Sequence, residues 1–292
     1  MKIYPRTLDA LTEPWLIMPA KLTEIIRIYD QHLKRNEIDT GVIAKFPKEE
    51  EPQGYQIENG VAMLQLQGII AKRMNLFINF SGGTSTQLFE RDFLSALNDP
   101  AVKSILLLVD SPGGSVDGVQ ELANLIFESR GKKSIVAYTD GVMASAAYWI
   151  GSATDKIYIS GDTTQVGSIG VVAAHVDISK AEEKMGIKTT EIVAGKFKRV
   201  TSRHEPLTLE GRAVLQEAVD HIYSVFVNDV ARNRGKTEKQ TLAMADGKVF
   251  LGKQAIDVGL VDEVSVLSSL IDRFGRLTSV QTIKSLVRER LN

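Results

Sequence analysis

The chain of 292 residues has no cysteine and only four histidines, His32, His175, His204 and His221. The first absence excludes disulfides, cysteine nucleophiles and thiolate metal sites, and suits a reducing compartment. The scarcity of histidine limits the choice of a conventional proton acceptor. No apolar run reaches the ~18 residues of a membrane span, and Met1 to Pro14 carries Lys2, Arg6, Asp9 and Glu13 instead of the apolar centre of a secretory signal. A cytoplasmic location is therefore expected. Neither sign of charge is in excess, the formal net charge being −1, so electrostatics give no reason to expect nucleic acid or an anionic membrane as partner. There is no His-Glu-x-x-His pattern, no cluster of His and Asp, and no phosphate loop. No metal or cofactor is called for. What is present, 43% hydrophobic and 24% charged residues, is the composition of an ordinary globular protein.

The informative stretch is 105–170. Ile105-Leu106-Leu107-Leu108-Val109 is a short branched apolar run and reads as a strand buried on both faces. It enters Asp110-Ser111-Pro112-Gly113-Gly114-Ser115, which reads as a turn: Pro112 fixes φ and the glycines open backbone angles closed to other residues. Val116, Val119, Leu122, Ala123, Ile126 and Phe127 then recur at helical spacing. Strand, glycine turn and helix is a layout that aims backbone N–H groups at an anion. A second unit follows, with a strand at Ser134 to Tyr138 and small residues around Ser145 that open a tightly packed helix with the hydroxyl at its start. A third has a strand at Lys156 to Ser160, a loop, and Val166-Gly167-Ser168-Ile169-Gly170-Val171.

Three of these blocks, Asp110 to Ser115, Met143 to Trp149 and Gly167 to Val171, resemble the signature blocks of the signal peptide peptidase A family of serine peptidases. The resemblance covers roughly residues 57–275. It implies an α/β fold of stacked ββα units, similar to the Clp protease subunit and the crotonases. It also implies a polypeptide substrate, no cofactor, and assembly of identical subunits into a ring or dome in which neighbouring subunits can share a site. Family members that clear signal peptides usually carry a membrane anchor, and this chain departs from that pattern. Glu13-Pro14-Trp15, then Pro19 and a helix, resembles the head-maturation peptidases of tailed phages, which belong to the same family; a phage-encoded protein would work in the host cytoplasm.

The chain divides into three parts. Residues 1–53 read as a helical arm and linker, with the apolar knot Trp15 to Pro19, helical spacing from Leu22 to Leu33, and a charged, proline-bearing stretch from Lys45 to Gln53. Such an arm docks on the body, contacts a partner or is a cleavable pro-segment. Residues 54–275 form the peptidase domain. Within it, Asn59-Gly60 marks a turn before the first core strand. The apolar, glycine-bearing loop 71–85 packs, lines a groove or contacts another subunit. Leu88 to Leu97 spaces like a helix, Lys180 to Met185 is a short charged helix, Lys188 to Val193 is β-prone, and Leu209 to Val230 is a long amphipathic helix. Residues 246–264 look like the family's closing block, with Gly and Asp shaping turns. Residues 276–292 are a helical tail suited to self-association.

A serine hydroxyl needs a base within hydrogen-bond reach and donors for the oxyanion. Ser145 is the candidate nucleophile, against the alternative of a small residue chosen for close packing; Ser111 and Ser115 border the glycine turn, and Ser111 better suits shaping it. Gly113, Gly114 and Ala146 offer backbone N–H groups for the oxyanion. His175 is the one histidine placed to compete as base. The resemblance implies a different base, a lysine in the setting Gly-x-x-Lys, which here is Lys198 after Gly195. Such a lysine acts only when its pKa falls far below about 10.4, through desolvation or nearby positive charge. In an extended segment Lys198 faces away from its neighbours Phe197 and Arg199, and Lys196 shares its face and competes. The resemblance also implies that Ser168 orients the lysine amine. Where the family usually has glycines after the nucleophile, this chain has Ala146 and Ala147, which puts the shape of the pocket in question. Two other readings stay open: a crotonase-like acyl-thioester enzyme, and a catalytically inert assembly protein.

Overall fold

The computed structural model describes residues 14–24, 54–73 and 83–276. The proposed linker 45–53, most of the arm, the apolar part of the 71–85 loop, the tail and His32 lie outside them. The strands are β1 (Trp15–Ile17), β2 (Tyr55–Glu58), β3 (Val61–Ala71), β4 (Gly83–Ser85), β5 (Ser104–Ser115), β6 (Ser134–Thr139), β7 (Val142–Ala144), β8 (Lys156–Ile159), β9 (Gln165–Gly167), β10 (Val249–Leu251) and β11 (Glu263–Val264). The helices are α1 (Thr86–Asn98), α2 (Val119–Glu128), α3 (Ala146–Ser152), α4 (Ser179–Lys184), α5 (Leu209–Asn233), α6 (Glu238–Leu242) and α7 (Gly252–Asp257), with further helical turns over 19–24 and 267–276. This is the α/β architecture expected from the sequence, with a largely parallel sheet. Among the described residues no helix is long and apolar enough to cross a membrane.

The sheet is built on β5. Its first half alternates between two cores. Ile105, Leu107 and Val109 join the main core, to which α1, α2 and α3 also contribute, whereas Leu106 packs with Val136, Tyr138, Tyr158, Leu270, Ile271 and Phe274 beneath the 267–276 helix. A strand covered on both faces needs no polar alternation, which is why it reads as a continuous apolar run. Parallel β3 pairs along one edge of β5, from Val61↔Ser104 to Ile70↔Gly114. The other edge is shared by three strands in succession: β6 at 104–108, β7 at Ser111, and β1 at 113–115. β9 flanks β7 on the side away from β5, and β10 flanks β9.

Several expectations need correction. Asp110 to Ser115 is not a turn but the second half of β5, held extended because β3 and β1 clasp it from both sides. Gly113, at φ 106, and Gly114 are needed for closeness: a β-carbon would lie 2.1 Å from the Leu16 carbonyl oxygen at the first and 1.8 Å from that of Ile70 at the second. Lys188 to Val193 forms no strand: no described residue pairs with it and its side chains are largely in solvent. After Gly170, Val172 makes an isolated bridge with Trp15. The Asn59-Gly60 turn is present as read, with both residues at positive φ (53 and 82) between antiparallel β2 and β3.

Candidate active site

Ser145 lies where β7 gives way to α3, as the helix's N-terminal flanking residue, at φ 55 and ψ −117. These are the angles of the first central residue of a type II′ turn, a place glycine usually takes. Its N–H donates to the Gly167 carbonyl at 2.7 Å and its carbonyl accepts from Trp149 N–H at 2.9 Å, so the backbone is held from both sides. The Oγ atom is buried and hydrogen-bonds to nothing among the described residues. Buried hydroxyls are nearly always paired, so an orphan calls for a reason such as chemistry. A strained strand-to-helix elbow is a backbone arrangement that can present a serine hydroxyl for reaction once a base is supplied.

The elbow is rigid because α3 is wholly buried. Trp149 stacks on Phe226 of α5 with ring centroids 4.5 Å apart and 7° between planes. The Trp149 Nε1–H donates to Asp229 at 3.1 Å, and Gln120 on α2 donates to the same carboxylate oxygen at 3.2 Å. Ala146, the first residue of α3, carries one of the helix N–H groups that have no intrahelical acceptor.

Gly167 links Ser145 to Ser168. Ser168 also has positive φ, 52, and is almost fully buried. Its N–H donates to the Lys248 carbonyl at 2.7 Å, and Gly247 N–H donates to Ile169 at 3.1 Å. Asp246 closes that turn, accepting from Lys248 N–H at 3.0 Å and pairing with the Lys248 ammonium at 2.6 Å. The Lys248 side-chain hydrogen bond, more than any other cause, holds the Asp246 carboxyl below its ordinary range. The Gly and Asp residues of the closing block do shape turns, and this one positions Ser168.

Of the proposed oxyanion donors, the Gly113 amide is already engaged. Gly113 N–H donates to Ser111 Oγ at 3.1 Å, while that hydroxyl donates to the Gly68 carbonyl at 2.6 Å. Ser111 therefore shapes the backbone, as its place before a proline suggests. Gly114 sits between Ile70 of β3 and Leu16 of β1.

Lys198 makes no hydrogen bond to the Ser145 hydroxyl within one copy. It lies exposed in a run of turns, its N–H bonded to Gly195 at 3.1 Å, and its ammonium makes no ion pair with any described residue. The extended segment expected there does not form. Lys196 is drawn to Glu210 at 2.9 Å, and Arg199 to Glu205 at 2.9 Å, so neither sits against Lys198. His175 donates through Nε2 to the Ser202 carbonyl at 3.0 Å, and His204 through Nδ1 to Glu182 at 2.9 Å; both are structural. Sequence reasoning missed β1. Its triplet was read as an apolar knot, though Pro14 and Pro19 bracket it as a short extended segment.

The Peptidase family S49 profile matches residues 127–281, more than half of the chain and inclusive of Ser145, Ser168 and Lys198. The chain belongs to peptidase family S49. It is 38% identical to a putative protease of Methanocaldococcus jannaschii over 62% of this chain and 58% of that protein. It is 31% identical to capsid assembly protease C of Escherichia phage lambda, over 73% of this chain and 48% of the relative. It is also 31% identical to a putative signal peptide peptidase of Enterococcus faecium, over 88% of this chain and 76% of the relative. The chain thus spans about half the length of the first two. Relatives named as proteases on both the phage and the cellular side agree with the S49 resemblance of the three blocks.

Proposed function

We propose that this S49 chain is a serine endopeptidase in which Ser145 attacks the peptide carbonyl and Lys198 of a neighbouring copy is the base. The observation that carries this reading is Ser145 itself, a bare hydroxyl on a strained elbow at a helix start. The step balances without a cofactor. As Oγ bonds to the carbonyl carbon, its proton passes to the lysine amine. The tetrahedral oxyanion takes hydrogen bonds from Ala146 N–H and from Gly113 or Gly114 once the latter are free. The protonated lysine then gives its proton to the leaving amine, and water releases the acyl group by the same path. Ser168 orients the incoming amine in this reading, which its position directly after Gly167, whose carbonyl holds Ser145, supports.

An amine takes a proton from serine only when held uncharged, away from water. Lys198 lies in solvent in a single copy, in a segment that also exposes Ile192, at 96%, and Phe197, at 52%. Exposed apolar groups in the segment that carries the proposed base support completion of the site by a second copy, in a closed homo-oligomer. A polypeptide substrate is supported by the protease family and by the relatives named as proteases. Capsid or scaffold maturation, by analogy with the phage relatives, and peptide degradation are the two settings it fits.

The test mixes two inactive variants, Ser145→Ala and Lys198→Ala. If each site takes serine from one copy and lysine from the next, an equal mixture exchanged to equilibrium regains about a quarter of wild-type casein turnover, because half the serines meet half the lysines in a closed ring. Each variant alone should lose at least about 10³-fold. No recovery in a mixture shown to have exchanged subunits would place both groups in one copy. Full turnover by either variant would remove that residue from the mechanism.

A further inference from the structure

Along the edge of β5 opposite β3, β7 and β1 lie end to end. β7 runs parallel to β5 and reaches Ser111 at Met143; β1 runs antiparallel, with Ile17 opposite Gly113 and Met18 N–H donating to the Pro112 carbonyl at 3.0 Å. The two therefore meet at Pro112–Gly113, where Ser145 leaves β7. On its other side β1 is held by Val172: Trp15 N–H donates to the Val172 carbonyl at 2.7 Å, and Val172 N–H donates to the Trp15 carbonyl at 2.9 Å. Residues 15–18 thus occupy a slot between the end of β5 and the chain leaving Ser168, with the strand pointing at the nucleophile.

That slot is shaped for backbone. The missing side chain of Gly113 is what lets the Leu16 carbonyl approach, since a β-carbon would sit 2.1 Å from it. The three side chains of β1 are buried, Leu16 in the main core and Trp15 and Ile17 on the opposite side with Leu22, Ile69 and Val172. Main-chain pairing on both sides, with pockets for alternate side chains, is how a sheet edge takes an extended peptide. Yet the occupant does not continue past Ser145. The Met18 carbonyl accepts from Lys21 and Leu22 N–H at 2.9 and 3.2 Å, and Pro19 opens a helical turn that carries the chain away. The Met18 carbonyl, at the end of the strand, is thereby committed to a helix cap instead of an oxyanion site.

We propose that Trp15–Met18 is a resident pseudo-substrate. It fills the slot in which an extended, apolar polypeptide segment pairs, cannot itself be cleaved there, and leaves before substrate enters. The slot's role in turnover rests on the peptidase reading above; its capacity to bind peptide does not.

The chain has no cysteine, so a single engineered disulfide can lock the strand. Trp15 and Val172 exchange both hydrogen bonds, a pairing with Cα atoms about 5.5 Å apart, within disulfide range. The full-length double variant Trp15→Cys/Val172→Cys is assayed oxidised and reduced. One readout is casein turnover. The other is anisotropy of a fluorescein-labelled peptide with the sequence of residues 13–20, using a background of Ser145→Ala. Oxidation should abolish turnover and peptide binding, and reduction should restore both. Leu16→Asp, which expels the strand, should bind the peptide at least tenfold more tightly than the unlocked parent. Failure of the disulfide to form, or equal peptide binding in the two redox states, would overturn the proposal. Peptide binding that switches with redox in a protein that never turns over casein would leave the plug standing and remove the peptidase reading. Redox-insensitive turnover would do the reverse.

Discussion

At the scale of one residue, Ser145 stands at backbone angles that a β-carbon opposes. Holding a non-glycine residue there costs about 1–3 kcal/mol. Glycine would remove that strain but give up roughly 0.5–1 kcal/mol in chain entropy. Relief is the larger effect, so Ser145→Gly should be more stable than Ser145→Ala by about 1 kcal/mol, read as a higher denaturant midpoint at unchanged slope. Both variants should be inactive. A less stable glycine variant would mean that the elbow is not strained. The position of Ser145 was legible in the sequence, because small residues around one hydroxyl at a helix start are a local pattern. Its strain was not, since φ at an elbow is imposed by the Gly167 hydrogen bond and by the packing of Trp149 against α5. Lys198 shows the opposite limit. A motif can mark a residue type and an order along the chain, but whether the amine reaches the hydroxyl depends on what covers residues 187–198.

At the scale of elements, the Asp246–Lys248 turn is the support of Ser168, through the Lys248 carbonyl. The Asp246 carboxyl is held below its ordinary range, the Lys248 side chain being the first cause and its N–H the second. A carboxyl depressed on folding contributes stability that is complete above its unfolded value, about 3.9. That contribution is lost as pH falls through the lower, folded value. The turn should therefore be indifferent to pH from 8 down to about 5 and loosen only below about 4. Hydrogen exchange of the Ser168 amide checks this: with intrinsic acid dependence removed, its protection should fall below that pH. In Asp246→Asn protection should already be a few-fold lower at neutral pH and lose its acid step. Protection unchanged in that variant would detach the turn from Ser168. Elements differed in how well the sequence foretold them for one reason, the range of their causes. The β2–β3 turn needs only Asn59 and Gly60. The second half of β5 needs two partners distant in the chain, so its Pro and Gly looked like a turn. Lys188 to Val193 has strand-forming residues but no edge to join.

At the scale of the molecule, a single copy leaves an apolar face uncovered. Met185, Ile187, Ile192, Val193 and Phe197 are all exposed, and they lie in the one segment that carries Lys198. Scattered exposed apolar residues are ordinary, but five within thirteen positions of one segment point to a surface made to be covered. Covering one isoleucine contributes about 1.5–3 kcal/mol, and burying a carboxylate there instead would cost more. Ile192→Asp should therefore weaken self-association at least tenfold, seen by sedimentation or light scattering, and lower casein turnover in proportion to the loss of oligomer. The substitution is on an exposed side chain, so the unfolding free energy of the single copy should stay within about 0.5 kcal/mol of the parent. That invariance separates a lost contact from a damaged fold. Turnover should rise with protein concentration in the variant and be restored at high concentration, since Ser145 and Lys198 are both still present. Undiminished turnover by a variant shown to be monomeric would mean that one copy completes its own site, and that Lys198 reaches Ser145 through a rearrangement of residues 187–205.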